Sequence, residues 1–125
     1  VISELSVEAK PVGRPAFAND SLLMFLENVS ERAGYIVSVD PKLAGVRWKQ
    51  RSSPEWASER PYVWNDLVLA GNCRGGITAF RGADGEQQWN LSLKGCIRSI
   101  GSSGNMFFAG VQEGTIYAYE LSTKP

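Results

Sequence analysis

The stretch Ala79-Phe80-Arg81-Gly82-Ala83-Asp84-Gly85-Glu86-Gln87-Gln88-Trp89 decides the fold. An apolar alternation runs into a Gly-containing tight turn, and a Trp stands four residues past Gly85. Upstream, Ser38-Val39-Asp40-Pro41-Lys42-Leu43-Ala44-Gly45-Val46-Arg47-Trp48 has the same length and the same closing Trp. The start of a third copy, Ala118-Tyr119-Glu120-Leu121-Ser122-Thr123-Lys124-Pro125, ends the sequence. Trp48 and Trp89 lie 41 residues apart, as do Ile36 and Ile77; Ile77 and Ile116 lie 39 apart, as do Leu67 and Met106. Chance alternation would drift further, so the chain repeats a unit of about 40 residues.

Composition sets the outer limits. The 125 residues suit one domain, and 43% apolar with 21% charged content is that of an ordinary globular chain. Thirteen basic residues balance thirteen acidic ones. Without clustered Lys and Arg, neither nucleic acid nor an anionic membrane surface is an expected partner. No run approaches the ~20 apolar residues of a membrane span. The first residues lack the basic start and long apolar run of a signal peptide, and the sequence begins at Val1, as a processed or excised product would. There is no histidine. The commonest general base, the commonest metal ligand and any Ser-His or Cys-His pair are thereby removed.

Short β-rich runs between turn residues fill each unit, with no helical periodicity. Val1 to Lys10 alternates loosely and reads as one strand, ended by Pro11-Val12-Gly13-Arg14-Pro15. The first unit then runs through Ala16–Ala18, Leu22–Leu26, a polar loop from Glu27 to Gly34, Tyr35–Val39 and Val46–Trp48. The polar segment Gln50 to Arg60 breaks the rhythm. The second unit continues as Tyr62-Val63, Leu67–Gly71, Ile77–Phe80 and Gln87–Leu91, and the third as Ile97–Ile100, Met106–Gly110 and Thr115–Tyr119.

A repeat of this length with about four strands is the signature of a β-propeller. The expected fold class is all-β: propeller blades, each a four-stranded antiparallel sheet whose two apolar faces are buried by stacking around an axis. Residues 1–14 form a lone outer strand, 15–59 the first blade, 60–95 the second, and 96–125 a third blade lacking its outer strand, which the first strand would complete. Three blades are too few for a ring, which usually has about four to eight. The chain is thus expected either to be part of a larger propeller or to associate, a homodimer giving six blades.

At these motifs the chain resembles the repeats of the pyrroloquinoline-quinone (PQQ)-type propeller family, whose docking pattern is Ala-x-Asp-x-x-Thr-Gly-Lys-x-x-Trp. In the second unit Ala79, Gly85 and Trp89 match in spacing, while Arg81, Asp84 and Glu86 replace Asp, Thr and Lys. The first unit keeps Asp40 and Trp48, has Ser38 for the Ala, and carries its Gly one place late at Gly45; the third keeps Ala118 and Thr123. The last unit also looks like a WD-repeat core, although Tyr119-Glu120 stands where Trp-Asp would be. The quinone-type repeat is the nearer match. It implies a blade-docking role for Trp48, Trp89, Ala79, Gly85, Asp40 and Ala118, and it slightly favours a periplasmic or extracytoplasmic setting.

Quinone dehydrogenases of that family hold cofactor and calcium with an adjacent cysteine pair in some members, a stacked Trp and nearby Asp, Glu and Asn. Here Cys73 and Cys96 are 23 positions apart and no such constellation clusters. No cofactor, metal or catalytic residue is therefore assigned. The two cysteines fall in connections that open on one face of a propeller. A disulfide is conceivable there, but two unpaired thiols near strands are the preferred reading. On the same face, Trp56 with Arg51, Glu55, Glu59 and Arg60 offers an aromatic anchor in a charged rim, the composition of an interface hot spot. A solvated loop whose Trp folds back on the blade edge is the plainer alternative. The expected function is a non-catalytic scaffold for protein–protein interaction or assembly. The alternative is a fragment of a quinone-dependent dehydrogenase whose ligands lie on other blades.

Overall fold

The computed structural model describes residues 4–7, 9–18, 20–28, 30–42, 45–52 and 60–121. Among these, eleven strands form three antiparallel sheets. The first contains β1 (Lys10–Ala18), β2 (Ser21–Asn28), β3 (Ala33–Val39) and β4 (Val46–Ser52), in that order. The second contains β5 (Tyr62–Trp64), β6 (Leu67–Gly71), β7 (Gly76–Arg81) and β8 (Gln87–Ser92). The third has β9 (Ile97–Ser103), β10 (Met106–Val111) and β11 (Ile116–Glu120). Each sheet is a meander, because turns of a few residues allow only antiparallel neighbours.

The turns follow the chemistry of their residues. β5 and β6 are joined by Asn65-Asp66, with Asn65 at φ 56, a left-handed conformation that Asn tolerates. Gly104-Asn105 does the same between β9 and β10, with Gly104 at φ 59. Between β2 and β3, Asn28 Oδ1 accepts from Ser30 Oγ at 2.9 Å and from the Glu31 amide at 3.1 Å. This turn is shorter than the polar loop expected from Glu27 to Gly34, whose ends pair as strand with Glu27 opposite Gly34.

The start of the chain differs from expectation in two respects. Pro11 to Pro15 does not end a strand; it lies inside β1, so the first sheet begins at Lys10 and not at residue 15. Two prolines are tolerated because β1 is the edge of its sheet, where a missing N–H breaks no ladder. The register shift between Val12 and Ala16, with Gly13 at φ 72, absorbs the irregular residues as a bulge. Residues 4–7 carry no strand. Leu5, Val7 and Ala9 nevertheless pack on the first sheet, against Leu26, Val37 and Val39.

The sheets stack face to face in chain order. One face of the first sheet (Leu23, Phe25, Ile36, Trp48) meets Val68, Ala70 and Phe80 of the second. The other face of the second sheet (Leu69, Ile77, Ala79) meets Phe107, Ala109 and Val111 of the third. We call the side toward the next sheet the forward face and its opposite the rear face. β1 approaches β5 and β5 approaches β9, so the first strand of each sheet lies innermost. Phe25, Ile36, Val68, Leu69, Ile77 and Ala79 have no exposed surface. Each large aliphatic or aromatic side chain so buried is worth about 1.5–3 kcal/mol.

A second set of bonds ties the second and third sheets at one end. Cys73, in the β6–β7 turn, forms a disulfide with Cys96, just before β9, which corrects the reading of two free thiols. Asn72 Oδ1 closes that turn by accepting from the Arg74 amide at 2.9 Å and the Gly76 amide at 3.0 Å. The Cys96 amide donates to Glu113 Oε1 at 3.2 Å, and the Cys96 carbonyl accepts from the Gln112 amide at 2.8 Å. The bridge therefore fixes the entry to the third sheet against the turns of both sheets. Replacing both cysteines by serine is expected to lower stability by about 3 kcal/mol, the loop-closure value for a cross-link of this span, read as a shifted midpoint in urea unfolding.

Candidate functional site: the sheet-to-sheet docking positions and the two end faces

Trp48 illustrates how one sheet docks on the next. It stands on β4, the outermost strand, opposite Ser38 on β3. Its indole Nε1 donates to the Gly82 carbonyl of the second sheet at 2.8 Å. Its ring lies 6.2 Å from that of Phe80 and directly against Gly85, where an added Cβ would collide with the indole. Gly85 also holds φ 77, so the position needs glycine for the turn and for the close approach together. The turn is braced from within. Arg81 bonds Asp84 at 3.0 Å and approaches Glu86 at 3.8 Å, so the acid and base of the quinone-type pattern are present here with their signs exchanged.

The second interface is built differently. Trp89 on β8 pairs with Ala79 and stacks on Phe107 of the third sheet, 5.5 Å between centroids and 23° between planes. Phe107 in turn stacks on Tyr119 at 5.4 Å. The anchoring hydrogen bond comes from Trp64, at the end of β5, whose Nε1 donates to the Gly104 carbonyl at 3.0 Å. Tyr62 reinforces it, its hydroxyl sharing a hydrogen bond of 2.8 Å with Ser102 Oγ. Sequence reasoning missed Trp64. The available signal was its place before Asn65-Asp66, matching Ala18 before Asn19-Asp20, and its separation of 40 residues, one repeat, from Gly104.

The remaining docking residues divide. Ala79 is fully buried against the third sheet, as is Ser38 at the equivalent place in the first. Among the described residues, the hydrogen bonds of Asp40 stay within its own turn: its Oδ1 accepts from the Lys42 amide at 2.8 Å and its amide donates to the Gly45 carbonyl at 3.1 Å. Ala118 lies exposed on the forward face of the third sheet. In the proposed partner loop, Trp56, Glu55 and Glu59 lie outside the described residues; Arg51 ends up on β4 and Arg60 before β5, both exposed.

Between the first two sheets, near the β1–β2 and β5–β6 turns, lies a cleft of about 360 Å³ whose walls include Ala18, Asp20, Arg47, Asp66 and Gly82. Arg47 is engaged there, with Asp20 at 3.0 Å and Ser21 Oγ at 2.8 Å. That guanidinium, by hydrogen bond and charge, holds the Asp20 carboxyl below its ordinary range. Among the described residues, no group of three or more Cys, Asp or Glu could hold a metal ion.

No family model matches the sequence, and no curated protein sequence matches it. Solved structures do match its fold. BamB from Moraxella catarrhalis superposes with a TM-score of 0.74 at 13% identity, over 93% of this chain and 35% of BamB. A europium-containing methanol dehydrogenase gives 0.71 at 14% identity, over 93% of this chain and 24% of the enzyme. The fold is a β-propeller segment. HIRA residues 644–1017 give 0.60 at 12%, over 88% of this chain and 36% of theirs. The chain thus spans about a third or less of each, and these neighbours agree with the quinone-type and WD-type resemblances of its repeats.

Four substitutions test the docking geometry. Trp48→Phe keeps most of the packing but loses the bond to Gly82, and should cost about 1 kcal/mol; Trp48→Ala, which also leaves a cavity, should cost about 3–5 kcal/mol. Gly85→Ala should cost roughly 1–3 kcal/mol through backbone strain alone, and more if the indole cannot move aside. Ser38→Ala has the opposite sign. The buried Ser38 Oγ has no hydrogen-bond partner among the described residues, so its removal should stabilise by about 1 kcal/mol. Urea unfolding monitored by Trp fluorescence measures all four variants.

Proposed function

We propose that the chain is a non-catalytic propeller scaffold that acts through protein–protein contact. The observation that carries this reading is the state of its two end faces. Ile116, on the forward face of the third sheet, is 76% exposed, and Phe17, on the rear face of the first, is 67% exposed. Large apolar side chains left bare on sheet faces mark interaction surfaces. The partner is other blades, in a second copy or a larger assembly. The aromatic residues also favour this role over a cofactor site, since Trp48, Trp64 and Trp89 are spent on joining sheets. The Cys73–Cys96 disulfide supports an oxidising, extracytoplasmic setting.

The rival reading, a piece of a quinone-dependent dehydrogenase, makes the opposite forecast for ligand binding. Titration calorimetry of the chain with PQQ, with and without calcium, should show no saturable heat. An assay with alcohol substrates and an artificial electron acceptor should show no turnover. Calcium-dependent quinone uptake would overturn the scaffold reading.

A further inference from the structure

We propose that the cleft between the first two sheets seats a tryptophan side chain of a partner polypeptide, flanked in the partner's sequence by Lys or Arg. The inference rests on the scaffold reading and deepens it by giving the chain a recognition site away from its end faces.

The two interfaces can be compared residue by residue. Ala18, Trp64 and Ser103 close the first strands of the three sheets, each just before a tight turn into the second strand. At the second interface Trp64 reaches the turn of the third sheet, where its Nε1 bonds the Gly104 carbonyl, and it is buried there. Tyr62, two residues earlier, adds its hydroxyl bond to Ser102. At the first interface the same two positions hold Ala16 and Ala18. Ala16 packs with Val63, which repeats Ser102. Ala18 leaves unfilled the space before Asn65, which repeats Gly104. That space is the cleft of about 360 Å³, with Ala18 and Asn65 both in its walls.

The cleft is held open. Trp48 bonded to Gly82 sets the spacing of the two sheets, and the Gly82 amide is itself fixed by the Asp66 carbonyl at 2.8 Å. The volume falls in the range of small-ligand sites, about 300–1000 Å³. Leu23 and Val68 make an apolar floor. Arg47 stands in the wall as the extra residue of a bulge: Ser38 pairs with Trp48 and Val39 with Val46, so Arg47 has no partner across the ladder. Asp20 and Ser21 hold its guanidinium, which offers a fixed cation to an aromatic face. Among the described residues no hydrogen bond reaches the Asn65 carbonyl, the counterpart of the acceptor that Trp64 uses. An apolar floor, a cationic wall and a carbonyl acceptor suit an indole better than a phenyl ring, which has no N–H to donate. The rim selects the neighbours of that indole. Asp20 is balanced by Arg47, whereas the exposed Asp66 carboxylate has no ion pair among the described residues. A Lys or Arg beside the partner's tryptophan meets it. Free indole lacks that cation, so the source is a polypeptide.

Titration of the isotope-labelled chain with acetyl-Lys-Trp-Lys-amide, followed by NMR, tests the proposal. The amides of Asn65, Asp66, Gly82 and Ala83 should shift saturably. Acetyl-Glu-Trp-Glu-amide should bind about fivefold more weakly, the weight of one exposed charge pair, and free indole more weakly than the cationic peptide. Asp66→Asn, a change at an exposed side chain, should erase the preference between the two peptides. Ala18→Trp copies Trp64 and should fill the cleft from within, abolishing the shifts and raising the urea midpoint. A parent without saturable shifts overturns the proposal, as do shifts confined to other amides. So do free indole binding as tightly as the cationic peptide, a preference that survives in Asp66→Asn, and a folded Ala18→Trp that binds as the parent does. The parent titration and Asp66→Asn decide the matter even where Ala18→Trp fails to fold. The two readings fail separately. A chain that takes up neither peptide nor quinone loses only the cleft site, and calcium-dependent quinone uptake removes the scaffold while leaving the peptide shifts in place.

Discussion

The contact on which the stack depends is the Trp48 indole lying against Gly85 with its N–H bonded to the Gly82 carbonyl. It joins a side chain of one sheet to the main chain of the next, so it fixes distance and register together. Apolar burial alone would permit sliding, because a flat aliphatic face has many near-equivalent positions. A directed hydrogen bond to a carbonyl at the rim of the interface removes that freedom. The requirement then spreads. The turn has to be left-handed at Gly85, has to lack a Cβ there, and has to be held at its base by Arg81 with Asp84 and Glu86.

The second interface satisfies the same requirement from the other side of the blade. Its N–H anchor is Trp64 on the innermost strand, while Trp89 on the outer strand contributes only stacking through Phe107 to Tyr119. The disulfide adds a covalent fix at this interface, whereas the ion pair beside the first, Asp20 with Arg47, is exposed and lies within the first sheet. The two are not equal in weight. A lowered Asp20 pKa favours the folded state above the ordinary carboxylate range and ceases to do so as pH falls through the lowered value. Yet Asp20 is largely in solvent, where such a pair is screened and weak. The first interface leans on Trp48, and the second spreads its load.

Much of the fold was legible because the repeat is set by turns and alternation, which are local. Gly85, Trp89 and Ala79 announced a blade, and the spacing to Trp48 announced a second one. The interior of β1 was not legible, because proline is a stop signal unless the strand is known to be an edge, and edge position is a property of the assembled sheet. Trp64 was missed for a related reason: its partner, Gly104, is one repeat away, and only stacking brings them together. The cysteine pairing was left open by sequence, since a separation of 23 residues permits a bridge without requiring one. The arrangement of β6–β7 and β8–β9 at one end of the stack settles it.

The end faces are best understood by comparing each residue with its equivalent inside the stack. Ile116 and Ala118 repeat Ile77 and Ala79, which have no exposed surface once the third sheet covers them. A face designed for solvent would have exchanged those residues for polar ones, at no cost to the sheet behind it. On the opposite end, Leu5, Val7 and Pro11 roof a groove of about 190 Å³ floored by Leu22, Met24 and Val37, so the cover there is only partial. An interface half kept apolar at one end, and a half-filled one at the other, are complementary in kind. The scaffold reading asks these end faces to reuse the stacking rule that joins the first sheet to the second.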